Sequence, residues 1–134
     1  MTRPLLEEIG EILRLGGLVR TVRQAARAVG VDERKIVKTL VVKCGDEYRA
    51  YILRGIKRLD LEALGCRLAT PEEVQSVTGY QIGGVPPVLA IPVFIDEELL
   101  GEDYVYGGGG DEYSLLRFKP RDLVERGFAR PVKL

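Results

Sequence analysis

Two stretches of the sequence carry residues that could do chemistry. One is a lysine, Lys38, inside the apolar segment Ile36–Val42, and the other is the loop from Val77 to Pro87, which holds three glycines, two prolines and no charge. Glycine lets the backbone approach a ligand closely, and proline stiffens the chain beside it. The loop can therefore present main-chain N–H and C=O groups in fixed positions, and it predicts a site in which the main chain takes part.

Lys38 is the first candidate functional side chain. In an extended segment it shares a face with Leu40 and Val42, so it has to reach solvent, pair with an acid or border a pocket. At a pocket its cation could hold a phosphate or a carbonyl oxygen. The alternative is a lysine near the end of a strand that simply reaches solvent. The neighbouring Thr39 is a candidate hydroxyl donor or an ordinary strand former.

Neither of the two glycine-rich segments matches a nucleotide-binding motif. No Gly-x-Gly-x-x-Gly opens a helix at Gly83–Pro87, and Gly107–Gly110 lacks the Lys-Ser/Thr ending of a P-loop. The first segment is either a ligand loop or a structural turn, and the second either cradles a phosphate or serves a hairpin and close packing. Four tyrosines could stack on an exposed base or pack in the core and at its rim. They are Tyr80, Tyr104, Tyr106 and Tyr113.

Composition limits the class of protein. A chain of 134 residues suits one core, so we expect a single domain over residues 1–134. Histidine is absent, which excludes Ser-His and Cys-His dyads and the usual zinc sites. No apolar run approaches the roughly 20 residues that span a bilayer and no secretory signal is evident, so we expect a cytoplasmic protein. Cys44 and Cys66 are expected to be small thiols, buried or half-buried, rather than a disulfide.

The net charge is zero, but the charges are segregated along the chain. Residues 1–43 carry nine Lys or Arg and five Asp or Glu, residues 60–113 carry one and eleven, and residues 114–134 carry six and two. If the two basic parts meet in space, they could form a phosphate-binding face. Otherwise these are solvated surface charges.

Helices are predicted from apolar spacing and capping residues. The strongest start is at Thr70, where Pro71 occupies the first turn and Glu73 completes a capping box. This helix is expected to end near Gly79. The other helical segments are about residues 4–15, the segment from Thr21 to Gly30, a turn after Asp32, Leu61–Leu64 after Asp60, Asp96 to Leu100, and Pro120 to Arg126.

Strands are predicted where β-branched and aromatic residues concentrate. They are Ile36–Val42, Tyr48–Leu53, Ile91–Ile95, Tyr104–Tyr106 and Tyr113–Phe118. Pro92 favours an edge position for its strand, because proline cannot donate to a ladder. Short strands mixed with short helices predict a single mixed α/β or α+β domain.

Several motifs follow one another in an informative order. They are Thr21 with Ala25-Ala26 and Gly30-Val31, Ile36-Val37-Lys38-Thr39-Leu40-Val41, Glu72-Glu73-Val74, Thr78-Gly79-Tyr80, Gly83-Gly84-Val85-Pro86-Pro87, Ile95-Asp96, the glycine turn, and Asp122-Leu123. In order and spacing the sequence resembles the YbaK / prolyl-tRNA synthetase insertion-domain family, from about Thr21 to Leu123. The combination of Val-Lys-Thr with Thr-Gly-Tyr-x-x-Gly-Gly-x-x-Pro is its most specific part.

The resemblance implies a fold and an activity. The fold is one compact α+β domain, in which a mixed, mostly antiparallel sheet is surrounded by short helices. The activity is that of an aminoacyl-tRNA deacylase, which hydrolyses the ester of a mischarged tRNA in trans, with tRNA for proline as a candidate substrate. The implied partner is the tRNA acceptor end, with an aminoacyl-tRNA synthetase as a further candidate, and neither a metal nor a cofactor is implied.

The resemblance also implies a site. The family's lysine corresponds to Lys38 and its Gly-x-x-x-Pro motif to Gly83–Pro87, so the candidate catalytic groups are Lys38 and the main chain of Gly83 and Gly84. The substrate pocket is assigned to Thr39, Tyr80, Val85, Pro86, Pro87, Gly107 and Gly108. Contacts to the acceptor stem are assigned to Arg20, Arg23, Arg27, Arg34 and Lys35.

One segment departs from the family pattern. Many members carry Ser-x-Gly-Arg-Arg-Gly where this chain has Gly107-Gly108-Gly109-Gly110-Asp111. A hydroxyl and two cations are missing, so the sequence leaves open which amino acid is removed. Two other functions also stay open: a non-catalytic module that binds tRNA or a synthetase, and a hydrolase of small esters or amides that needs no RNA.

Overall fold

The structure, a computed structural model, describes residues 6–134. Within this range the chain forms four α-helices and eight strands, arranged in two sheets. The helices are α1 (Val22–Val29), α2 (Leu61–Leu64), α3 (Pro71–Thr78) and α4 (Pro120–Glu125). The strands are β1 (Gly10–Arg14), β2 (Val37–Cys44), β3 (Glu47–Arg54), β4 (Arg67–Leu68), β5 (Val93–Asp96), β6 (Val105–Gly108), β7 (Ser114–Phe118) and β8 (Arg130–Val132). Short 3₁₀ turns occupy Leu6–Glu8, Glu33–Lys35 and Glu97–Gly101.

The two sheets share one apolar core. The smaller sheet has the order β1-β7-β6 and is antiparallel throughout. The larger sheet has the order β4-β2-β3-β5-β8, and its parallel pairs are β3 with β5 and β5 with β8. Ile52 and Ile95 of the larger sheet cluster with Leu116 and Phe118 of the smaller one, all with no exposed surface. The expected α+β domain with a mixed, mostly antiparallel sheet is confirmed. Every helix found between residues 6 and 134 is too short or too polar to span a bilayer.

The helix signals near the glycine loop are confirmed. The Thr21 hydroxyl accepts from the Gln24 N–H (3.0 Å) and begins α1, which ends at Gly30 with φ of 71°. Thr70 and Glu73 form the predicted capping box at the start of α3. Because both helix starts are set by local residues, α1 and α3 are determined largely by their own sequence.

Glu73 also connects α3 to the larger sheet. Its carboxylate accepts from Arg67 at 2.8 and 2.9 Å, from the Tyr48 hydroxyl at 2.5 Å and from the Thr70 N–H at 2.9 Å. The Arg67 guanidinium, followed by Thr70 and Tyr48, holds the pKa of Glu73 well below its usual range. These bonds fix α3 against β3 and β4.

The helix predicted over residues 4–15 is wrong where the structure describes it, and residues 4 and 5 lie outside the described range. Leu6–Glu8 forms a 3₁₀ turn and Gly10–Arg14 forms β1, which pairs with β7. A Cβ on Gly10 would lie 2.1 Å from the Arg117 carbonyl oxygen, so glycine fits the ladder closely. The apolar spacing suits a helix, but pairing with β7 decides the conformation.

The larger sheet corrects one expectation and adds two strands. The predicted edge position of the strand after Pro92 is wrong, because β5 lies between β3 and β8. Pro92 precedes β5, so its missing N–H costs nothing, and its carbonyl accepts from Ala50 (2.9 Å). The sequence analysis missed β4 and β8, which contain only two and three residues.

The cysteines also differ from expectation. Cys44 and Cys66 form a disulfide, with Cα atoms 4.3 Å apart, and are not two thiols. Cys44 ends β2 and Cys66 immediately precedes β4, so the pairing of β4 with β2 brings them together. Sequence spacing alone could not show this, because β4 was not predicted. The bond closes a loop of 22 residues and fastens β4 to β2.

Closure of that loop predicts a measurable stabilisation. Replacing both cysteines with serine (Cys44→Ser with Cys66→Ser) should lower the free energy of unfolding by about 3 kcal/mol, because the unfolded chain regains loop entropy. Urea unfolding with and without reductant measures this, and reductant should not affect the double variant. An unchanged midpoint of the wild type in reductant would show that the bond contributes nothing.

Candidate functional site

A cleft opens along one edge of β2. β3 pairs with the whole length of β2 on one side, but β4 covers only its far end on the other. On that side the Ala69 N–H donates to the Val41 carbonyl (2.9 Å), and at the near end Ile36 bridges to Tyr106. Between these points, the stretch 37–40 borders a cavity of about 280 Å³. This cavity, called the cleft below, places both side chains and main-chain groups of β2 beside open space.

Most of the cleft wall is apolar. On one side Val41 packs with Ala69, Val74 and Val85, which come from β2, the β4–α3 segment and the glycine loop. On the other side the wall is built from α1, β7 and the segment before β2. Its residues are Val22, Ala25, Ile36 and Leu115. A cleft of this kind admits a small apolar group, and the few polar groups in its wall would orient the ligand.

Lys38 brings a cation to this apolar cleft. Its Nζ donates to the Gly55 carbonyl oxygen (3.2 Å), and no carboxylate in residues 6–134 forms an ion pair with it. Burial lowers the pKa of the Lys38 ammonium from its ordinary value. Lys38 lines the cleft, and its ammonium is half-buried and bound to a main-chain carbonyl, so a lysine that merely reaches solvent does not describe it.

Thr39 lines the cleft next to Lys38. Its hydroxyl oxygen is buried and makes no hydrogen bond with the described residues. A buried hydroxyl without a partner is costly. This oxygen has less than 1 Å² of accessible surface, so a ligand would reach it only after a shift of the cleft wall.

The glycine loop faces β2 across the cleft and begins with a tight turn. The Gly84 N–H donates to the Gln81 carbonyl (3.1 Å), and Gly83 has φ of 96°, a conformation that favours glycine. The Gly84 amide is thus occupied within the turn. Among the described residues, the amides of Gly83 and Val85 make no backbone hydrogen bond. Both residues line the cleft, so their amides are candidate main-chain donors to a ligand.

The β6–β7 hairpin supports the glycine loop from behind. A Cβ on Gly108 would lie 2.2 Å from the Val85 carbonyl oxygen, and one on Gly84 would lie 2.8 Å from Asp111 Cα. The Gly110 N–H donates to the Gly84 carbonyl (2.9 Å). The role of the glycine run in a hairpin and in close packing is confirmed, because main chains meet where any side chain would intrude.

The structure brings together only part of the predicted catalytic and pocket set. Lys38, Thr39, Gly83, Val85, Gly107 and Gly108 line the cleft. The remaining four lie outside its lining: Gly84, Pro86 and Pro87 are buried behind the loop, and Tyr80 is half-buried in the apolar cluster beside α3.

Of the arginines predicted to contact the acceptor stem, one borders the cleft and three are exposed on α1 or in the turn before β2. Arg20 borders the cleft, with its guanidinium 3.8 Å from the Glu112 carboxylate. Arg23 and Arg27 are exposed on α1, and Arg34 is exposed in the turn before β2. In the described part of the chain, Arg27 and Arg34 form no ion pair. Arg27 and Arg34 are therefore open to phosphates, whereas the Arg23 guanidinium lies 3.9 Å from the Glu33 carboxylate in an exposed pair.

Lys35 differs from the arginines because it already has a strong partner. Its ammonium lies 2.5 Å from Glu102, and this contact lowers the pKa of the Glu102 carboxyl. The buried Arg54 guanidinium also reaches Glu102 (3.4 Å). The acceptor-stem contact assigned to Lys35 stays a prediction, with its cation engaged in a structural network.

Sequence reasoning missed most of the apolar lining of the cleft, including the wall formed by Val22, Ala25, Ile36 and Leu115. Leu68, Ala69 and Val74 were not assigned to the pocket, yet the β4–α3 segment places them there. No local signal identifies them, because a two-residue strand has no periodicity. Val19 and Ile82, which also line the cleft, were missed for a similar reason: they lie in irregular segments.

Comparison with known proteins identifies relatives of the whole domain. The model of the aminoacyl-tRNA editing domain family matches residues 17–125. The proline–tRNA ligase of Caldicellulosiruptor bescii is 29% identical over 114 residues, which make up 78% of this chain and 20% of the ligase. The chain thus spans about a fifth of the length of that ligase.

Solved structures agree with this relationship. A hypothetical protein of known structure superposes with a TM-score of 0.85 at 42% identity, over 92% of this chain and 89% of the other. A candidate trans-editing enzyme for prolyl-tRNA synthetase superposes with a TM-score of 0.83 at 37% identity, over 93% and 85% of the two chains.

Because the hairpin approaches the glycine loop so closely, we expect an alanine at Gly108 to destabilise the fold far more than an alanine at a glycine with open space around it. Gly108→Ala should lower the free energy of unfolding by about 1–3 kcal/mol, because its methyl group would overlap the Val85 carbonyl. Gly101→Ala is the matched control: nothing lies within 4 Å of its Cβ, and a change within about 0.5 kcal/mol is expected. Thermal unfolding of both variants tests this, and equal effects would contradict it.

Proposed function

This chain belongs to the aminoacyl-tRNA editing domain family, and on that premise we propose that it is a deacylase that hydrolyses the ester of mischarged tRNA. The observation that carries the proposal is that Lys38 and Gly83, from β2 and from the glycine loop, line the same cleft. The resemblance to a candidate trans-editing enzyme supports action in trans, after a synthetase has released its product. We also propose that the protein acts in the cytoplasm, where such a role in translation would be needed.

Hydrolysis requires stabilisation of the negative charge that forms on the ester carbonyl oxygen. We assign this to the Gly83 amide, with the Val85 amide beside it, since the Gly84 amide is occupied by Gln81. Gly84 instead permits the close approach of Asp111 that holds the loop in place. Removal of one such donor typically costs about 10²–10³ in rate.

Beyond stabilisation of this charge, the reaction consumes only water and the ester, and the protein positions both. Water attacks the carbonyl carbon, the ester C–O bond breaks, and the products are the free amino acid and a terminal ribose hydroxyl on the tRNA. The neighbouring ribose hydroxyl of the tRNA or a main-chain carbonyl positions the water. Lys38 holds the terminal phosphate or orients the ester. As the family resemblance implies, we propose that the reaction uses no metal.

The walls of the cleft bear on which amino acid is removed. A space bounded by Val41, Ala69, Val74 and Val85 suits a small side chain. Size alone discriminates by only about 1–3 kcal/mol per methylene, so related small amino acids are expected to be hydrolysed at different rates rather than absolutely excluded. The kinship with proline–tRNA ligases makes tRNA for proline the first substrate to test, and such a synthetase a candidate partner.

The first test is deacylation of a panel of tRNAs for proline that carry alanine, cysteine or serine. We expect the wild type to hydrolyse at least one, and Lys38→Ala to be about tenfold to a hundredfold slower, because a hydrogen bond to a charged group is lost. The exposed Lys133, on the far side of the larger sheet, supplies the control variant Lys133→Ala.

The panel also separates this proposal from the alternatives. Binding of tRNA without hydrolysis of any member would replace the deacylase with a non-catalytic module. Hydrolysis of small aminoacyl esters as fast as of charged tRNA would favour an esterase that needs no RNA.

If the exposed arginines of α1 contact phosphates, the affinity of the protein for tRNA should depend on salt concentration. With Arg23→Ala and Arg27→Ala together, the slope of log affinity against log salt concentration should become less steep by about 2, one for each lost phosphate contact. Arg130→Ala, an exposed arginine of β8 at the opposite edge of the larger sheet, should leave the slope unchanged. Equal slopes in all three proteins would move the tRNA contact elsewhere.

A further inference from the structure

We propose that Glu112 binds the α-ammonium group of the aminoacyl ester, and that the enzyme thereby selects esters with a free, charged amino group. The inference rests on the proposed function and adds a specificity-determining residue to it. Glu112 belongs to the turn between β6 and β7, where the sequence analysis assigned no role to any acidic residue.

The position of Glu112 places its carboxylate beside the proposed oxyanion donor. A Cβ built on Gly83 would lie 3.8 Å from Glu112 Oε1 and 3.9 Å from its Cγ. In an aminoacyl ester, only the α-carbon separates the carbonyl carbon from the amino nitrogen. A ligand whose carbonyl oxygen meets the Gly83 amide therefore carries its amino group within the neighbourhood of this carboxylate.

The charges around the cleft require such an anion. The charged side chains that line the cleft in residues 6–134 are Arg20 and Lys38, both cationic. The α-amino group of the substrate is also largely protonated near neutral pH. Both cations would repel it, and Glu112 is the acid whose carboxylate lies against Gly83.

The carboxylate of Glu112 is not needed to hold the local structure. The main chain of Glu112 makes the link to the segment before α1, through the Val19 N–H and the Glu112 carbonyl (2.9 Å). Within residues 6–134 its side chain pairs only with Arg20, at 3.8 Å, and 36% of the side-chain surface is exposed. An exposed ion pair of this length contributes little. The neighbouring Asp111 is already engaged, since its carboxylate accepts from the Tyr113 N–H (2.8 Å).

The test compares two substrates that differ only at the amino group. The mischarged tRNA of the panel that the wild type hydrolyses fastest is converted to its α-hydroxy analogue, for example alanyl to lactyl, with nitrous acid. We expect the wild type to prefer the amino form by about tenfold or more in kcat/KM, because it keeps a charge-assisted hydrogen bond. Glu112→Gln should lose this preference through a slower reaction of the amino form, with the hydroxy form unchanged.

Two control variants make the test specific to Glu112. Glu125→Gln, at an exposed position of α4, should keep the full preference. Arg20→Ala should slow both substrates alike and also keep the preference. If Arg20→Ala also removes the preference for the amino form, the effect of Glu112→Gln comes from loss of its ion pair with Arg20 and not from loss of a ligand contact. The inference then fails.

The outcomes separate this inference from the deacylase proposal. If the wild type hydrolyses both forms equally, or if Glu112→Gln slows both by the same factor, the role of Glu112 is overturned while the deacylase stands. If the wild type hydrolyses neither form, both proposals fail.

Discussion

The main chains of the β6–β7 hairpin and the glycine loop lie in direct contact, and the cleft depends on that contact. Gly108 meets the Val85 carbonyl, and Gly84 meets the backbone of Asp111, at distances that no Cβ would permit. The hydrogen bond from Gly110 to Gly84 fixes the register of the two segments. Because the loop is held from behind by backbone alone, the Gly83 amide can face the cleft in a fixed position without any side chain to place it.

The cleft also depends on β2, which is fully paired on one side and leaves part of its other edge open. β2 is paired with β3 along its whole length, yet Lys38 and Thr39 border open space on its other side. The far wall is fastened to β2 by the Cys44–Cys66 disulfide and by the bonds of Glu73 at the start of α3. A rigid strand therefore carries the polar groups, while separate segments supply the apolar surround.

Sequence and structure agree best where a short-range rule is at work. The ends of α1 and α3 follow from Thr21, Gly30 and the Thr70–Glu73 capping box, and the glycine run follows from close packing in a hairpin. The failures share a cause, since each depends on a distant partner. β1 was predicted as a helix because its pairing with β7 cannot be inferred from apolar spacing, and the disulfide was missed because β4 was not predicted.

The candidate site divides in the same way. The sequence by itself identified Lys38, Thr39 and the glycine loop as candidates, because a cation in an apolar strand and clustered glycines are costly unless they have a use. Only the tertiary structure decided which of these groups share one cavity. It placed Pro86 and Pro87 behind the loop, occupied the Gly84 amide, and brought Glu112 to Gly83. The physical reason is that these contacts join segments far apart in the chain, and their geometry is set by how the sheets pack rather than by local sequence.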